Sequence, residues 1–108
     1  MEKSSQEIFI KPEYAVNILC KTDNKKYATI PRLFRCIAYV AKAANYRKDV
    51  IYDISFNSIE RSVRRNQNAI STIGDTIVLK DEPIPEMPGN VLQFLAPYVN
   101  KFSKTYPA

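Results

Sequence analysis

The stretch that begins at Pro31 constrains this chain most. Leu33, Ile37, Val40 and Ala44 recur at helical spacing, and roughly 100° of rotation per residue places them on one stripe. Pro31 suits a first helical turn, where its missing N–H is not needed. The spacing therefore predicts a helix over residues 32–46 with that stripe against a core. On the opposite side the same arithmetic gathers Arg32, Arg35, Tyr39, Lys42 and Tyr46 into an arc of roughly 80°. This face is basic and aromatic at once, and Tyr39 and Tyr46 either pack at a core edge or stack on bases.

A second amphipathic stretch follows over residues 58–72. Asn57 is a good N-cap, and Glu60 falls three residues on, where a capping-box acid belongs. Its core stripe is Ile59, Val63, Ile70 and Ile73. The opposing arc carries Arg61, Arg64, Arg65, Asn68 and Thr72 within roughly 100°. Gly74 is a natural stop.

The remaining segments are read more coarsely. Residues 12–20, with Pro12 first, fit a short helix better than a strand. Residues 21–27 form a polar connection, and residues 50–55 stay open between a short helix and a short strand. Residues 76–80 read as a strand, and the proline-rich 81–89 as a surface loop. Residues 90–104 suggest an amphipathic helix interrupted or kinked at Pro97. Residues 1–6 are polar and expected to fray. The expected fold is mainly α: one domain over residues 1–108, a small helical bundle with a helix-turn-helix-like element and one short strand pair.

Charge is more informative by position than by total. Residues 21–65 hold eleven Lys and Arg against four Asp and Glu, whereas the segments on either side are each slightly acidic. A localised excess of this kind marks a surface that attracts polyanions, nucleic acid above all. The competing reading is a solvated exterior that keeps the domain soluble.

Several function classes are disfavoured. The sequence has no His, so the commonest general base and metal ligand is missing, and no Ser or Cys has an evident activating partner. Asp49, Asp53 and Glu60 fall into no metal-binding pattern, and the two glycines cradle no phosphate. The chain is thus expected to be no enzyme and to use no metal and no cofactor. No run approaches the roughly 20 apolar residues of a membrane span, and the first residues lack the apolar core of a secretory signal. That points to a cytoplasmic protein without a membrane partner, in which Cys20 and Cys36 are buried thiols.

The string IERSVRR at residues 59–65 resembles the V-E-R-x-I-R pattern of the DNA-binding effector domain of sporulation response regulators. KDVIYDIS at 48–55 is similar to that family's K-x-L-Y-P-x-I-A element, and KKYATIPRLFRCIAYV at 25–40 to its K-G-Y-x-Y-L-R-x-A-I helix. PGNVLQFLAPYV at 88–99 is similar to its closing helix, P-T-N-x-E-F-I-x-x-L-A. Between YDIS and IERS the chain is several residues shorter than the family, and the family's Trp after the recognition helix is absent. The resemblance implies an all-helical bundle with a helix-turn-helix, residues 48–55 as its first helix and 58–72 as the helix that enters the major groove.

The expected function is a DNA-binding transcriptional regulator or accessory protein. Arg61, Arg64, Arg65 and Asn68 would read duplex DNA, while Arg32, Arg35 and Lys42 would hold phosphates. A two-fold homodimer would offset the limited specificity of one short helix. The alternative is a protein-interaction module or inhibitor that docks the same basic face on an acidic protein, with the 81–89 loop as a second docking element.

Overall fold

A computed structural model describes residues 7–108; the fraying expected of residues 1–6 lies outside the described residues. The order of elements is β1 (Ile8–Ile10), α1 (Pro12–Asp23), β2 (Tyr27–Thr29), α2 (Ile30–Ala43), β3 (Val50–Tyr52), α3 (Phe56–Arg65), β4 (Ile70–Ile73), β5 (Thr76–Leu79) and α4 (Gly89–Thr105). Helix accounts for 52% and strand for 17% of the described residues. The mainly α bundle with a helix-turn-helix-like element is therefore corrected to a mixed α/β fold with two sheets. In one, β1 and β3 run parallel, with Ile8 opposite Val50 and Ile10 opposite Tyr52. In the other, the order is β2-β5-β4, all antiparallel.

The error has a physical source. Most of the strands have three residues, too few for period-2 alternation to be told from helical spacing. Residues 48–55, which the family resemblance made a helix, form β3 and a loop because β1 supplies a pairing edge some forty residues away.

The helix expected over 58–72 is likewise cut short. It ends at Arg65, and the Asn66 side chain donates from Nδ2 to the Ser62 carbonyl at 2.8 Å. Asn-rich turn chemistry follows, then Ile70, Ser71, Thr72 and Ile73, whose β-branched members favour the strand they form against β5. Gly74, at φ 63°, takes the left-handed conformation that the two-residue turn of this hairpin requires. Ile73 stands at the hairpin tip and is 69% exposed, not in the core.

The longer helices follow their local signals. In α2 the Thr29 hydroxyl accepts the Arg32 N–H, and Leu33, Ile37, Val40 and Ala44 are all buried. The helix stops short of 46 because Asn45 and Tyr46 adopt left-handed φ of 55° and 51°, which carries Tyr46 off the basic face. α4 is continuous through Pro97. The carbonyl that Pro97 leaves without a donor belongs to Gln93, and both residues lie on the exposed side of the helix.

α1 is the centre of the molecule and packs on α2, α3 and α4. Ala15, Val16, Leu19 and Cys20 from it meet Leu33 and Val40 of α2 and Leu95, Val99 and Phe102 of α4 in one hydrophobic cluster. Among the described residues no helix is long and apolar enough to cross a membrane.

Candidate nucleic-acid interface

The outward face of α3 is set by its cap. Ser55, not Asn57, is the N-cap: its Oγ accepts the Ser58 N–H at 3.1 Å, and Ser58 Oγ accepts the Ser55 N–H at 2.7 Å. Ser58, Ile59 and Ser62 then face inward and are buried. Asn57, Glu60, Arg61 and Arg64 are exposed and share an arc of roughly 100°. Two residues to which the sequence gives capping roles thus stand on the open face. The pattern that would have revealed this is Ser55 and Ser58 themselves, an equally good local cap two residues earlier.

Arg65 belongs elsewhere. It turns towards α1, where its Nη2 donates to both Glu13 carboxylate oxygens at 3.1 and 3.0 Å. The Ser62 hydroxyl donates to the same carboxylate at 2.7 Å. Burial pushes the Glu13 carboxyl up, but the Ser62, backbone and Arg65 donors together outweigh it and hold the group below the ordinary value of 4.5. Arg65 is therefore part of the joint that fixes α3 on α1.

Arg32 is engaged in the same way. Its Nε and Nη2 donate to Asp23 Oδ2 and Oδ1, each at 2.8 Å, while Ser103 Oγ donates to Oδ1 at 2.6 Å. The guanidinium also lies over the Phe102 ring, 4.9 Å from its centroid. Burial raises the Asp23 carboxyl, but the Arg32 and Ser103 donors outweigh it and hold the group below its ordinary 3.8. This cluster ties the end of α1 to α2 and α4.

The structure distributes the other expected residues. Arg61 is loosely paired with Asp53 at 3.7 Å, Arg61 exposed and Asp53 partly so. Arg64 makes no ion pair among the described residues and lines a cleft of about 370 Å³ with Phe56, Ile30, Thr72 and Gly74. The cleft places the β4–β5 hairpin beside α3. Asn68 lies past the end of the helix in the turn to β4, where its carbonyl accepts the Glu82 N–H at 3.2 Å. Arg35 and Lys42 are exposed on α2 but line a different groove, shared with α4. The expected residues therefore do not form one surface.

The thiols offer no chemistry here. Cys20 and Cys36 are both buried and free; burial, foremost, pushes them up to about 11 and about 12, so neither presents a thiolate near neutral pH. Among the described residues no group of three or more His, Cys, Asp or Glu side chains is placed to hold a metal ion. The chain matches no family model, no curated protein and no solved structure.

Proposed function

We propose that the chain is a cytoplasmic, non-catalytic DNA-binding protein that lays α3 in the major groove of a duplex and rests the β4–β5 hairpin on the flanking backbone. The observation that carries this reading is the open arc of Asn57, Glu60, Arg61 and Arg64 on a helix whose opposite side is anchored to α1. A helix of ten residues is about 15 Å long, enough to follow a groove that admits a helix broadside. Each exposed residue has a base-edge partner: Arg takes guanine O6 and N7, Asn takes adenine N6 and N7, and Glu accepts from cytosine N4.

The placement of the hairpin supports the reading. β2 pairs on β5, and the β4–β5 hairpin stands beside α3, where it can meet the phosphate backbone that flanks the groove. The family resemblance assigns the groove to a helix over residues 58–72; the present reading gives that role to α3 alone, which ends at Arg65. A short reading helix favours a homodimer on paired half-sites.

The test is fluorescence anisotropy with a labelled duplex across a salt series. Binding that weakens as salt rises is expected, with Arg64→Ala and Arg61→Ala each lowering affinity about tenfold or more, as for loss of a base or phosphate contact. No detectable binding at low salt, or full binding by both variants, sinks the reading.

One observation favours a second reading. Phe56 and Ile73 are 67% and 69% exposed, and Phe56 lines the cleft beside Arg64. An apolar rim next to a basic helix also suits an acidic protein partner. Under this reading Phe56→Ala abolishes capture of a nuclease-resistant partner, whereas under the first it changes duplex affinity little.

A further inference from the structure

The groove between α2 and α4 is a second built feature, and its chemistry differs from that of α3. Arg35, Tyr39 and Lys42 line one wall, Phe102 and Tyr106 the other, and Ala38 and Ala43 leave the space between them open. The volume is about 610 Å³, within the range of small-molecule sites, roughly 300–1,000 Å³.

Aromatic rings from the two walls meet in one cluster. Tyr39 and Phe102 have ring centroids 5.7 Å apart, Tyr39 and Tyr106 6.4 Å, and Phe102 and Tyr106 5.5 Å. Phe102 is itself fixed, because the guanidinium of Arg32 covers it from the side of the Asp23 cluster. Tyr106 is half exposed and Tyr39 partly so, which leaves ring surface for a planar guest.

The charge is one-sided. α2 contributes Arg32, Arg35 and Lys42, α4 contributes Lys101 and Lys104, and neither helix contains a single Asp or Glu. Arg32 is held by Asp23, but Arg35 and Lys42 form no salt bridge among the described residues. They stand on the same side of α2 as Tyr39, one turn before it and one turn after. An aromatic cluster whose rings offer both faces and edges, flanked by two cations without a salt bridge among the described residues, suits a planar ring that carries an anionic group.

We infer that the α2–α4 groove is a ligand site for a small aromatic anion, whose ring packs against Tyr39 and Tyr106 and whose carboxylate, sulfonate or phosphate bridges Arg35 and Lys42. The site is separate from α3, so it stands or falls independently of DNA binding.

The full chain is titrated with 1-anilinonaphthalene-8-sulfonate, and in parallel with its uncharged relative N-phenyl-1-naphthylamine. Saturable binding of the sulfonate at one site per chain is expected, at least tenfold tighter than that of the neutral probe. The Arg35→Ala/Lys42→Ala variant should lose at least tenfold in sulfonate affinity with an unchanged melting temperature, since neither cation is paired. Ala43→Phe, which fills the groove, should abolish binding, and Arg64→Ala should leave it as in the parent chain. Adenosine monophosphate should displace the sulfonate where inorganic phosphate at the same concentration does not. Equal binding of the two probes, several sites per chain, or indifference to the Arg35 and Lys42 substitutions overturns the inference. Displacement by inorganic phosphate as effective as by the nucleotide removes its aromatic half and overturns it equally.

Discussion

Arg64 and Arg65 are adjacent in sequence but differ in what holds them, and Arg32 and Arg35 repeat the contrast on α2. In each pair one arginine is taken by a carboxylate of α1, and the other is exposed with no ion pair among the described residues. Glu13, in the first turn of α1, holds Arg65 of α3; Asp23, at the end of α1, holds Arg32 of α2. The central helix thus uses its two ends to fasten the two basic helices. Charge density along a sequence does not separate an arginine that fastens helices from one that stands free on the surface. The location of a buried acid does.

Removal of the acid at the end of α1 should have the largest effect. The Asp23 side chain is 1% exposed and that of Arg32 17%, and the carboxylate accepts from Ser103 as well. Asp23→Ala leaves a half-sequestered guanidinium and a hydroxyl without their acceptor. The expected loss is about 3 kcal/mol in urea unfolding, as for other broken buried pairs. A loss below about 1 kcal/mol would mean that the cluster does not fasten α1 to α2 and α4.

Glu13→Gln should cost less, about 1–2 kcal/mol, because half of the Arg65 side chain already sees water and solvent screens its charge. The same carboxylates set a pH dependence. Glu13 and Asp23 both titrate below their ordinary values of 4.5 and 3.8. Their contribution is therefore fully present above those values and is lost as pH falls through the lowered, folded-state ones. Parent stability should decline on acidification below the ordinary carboxylate range, and the Glu13→Gln/Asp23→Asn variant should decline less steeply. Parallel curves for the two proteins would contradict the assignment.

These partnerships were not legible in the sequence, because Glu13 and Arg65 lie 52 residues apart and nothing local marks one for the other. The α2 stripe was legible, since Leu33, Ile37, Val40 and Ala44 repeat a helical period over several turns, long enough to exclude alternation. β1 and β3 were not. Their triplets IFI and VIY acquire meaning only from each other. Ile73 read as core by its apolarity and by a helix that the Asn66 turn in fact ends. At the candidate interface Arg61 and Arg64 were visible as an exposed charge arc. Asn57 and Glu60 were hidden behind a cap assignment that Ser55 and Ser58 also satisfy, and short-range rules cannot rank two overlapping caps. Of the hairpin beside α3, β5 was read as a strand, whereas β4 was absorbed into the overlong helix.

The smallest stability effect is expected at Arg64. Arg64 is exposed and without an ion pair among the described residues, so Arg64→Ala should change unfolding free energy by less than about 0.5 kcal/mol, the ordinary scale for a surface substitution. Its place in the last turn of α3 adds a favourable interaction with the helix C-terminus of only a few tenths of a kcal/mol. Arg65→Ala, one residue on, removes the guanidinium that neutralises a buried carboxylate and should cost more than twice as much. Duplex affinity should rank the two the other way, with Arg64→Ala the more damaging. If the two variants rank alike in urea unfolding and in anisotropy, α1 does not sort the arginines by role, and the division between fastening and reading residues fails with it.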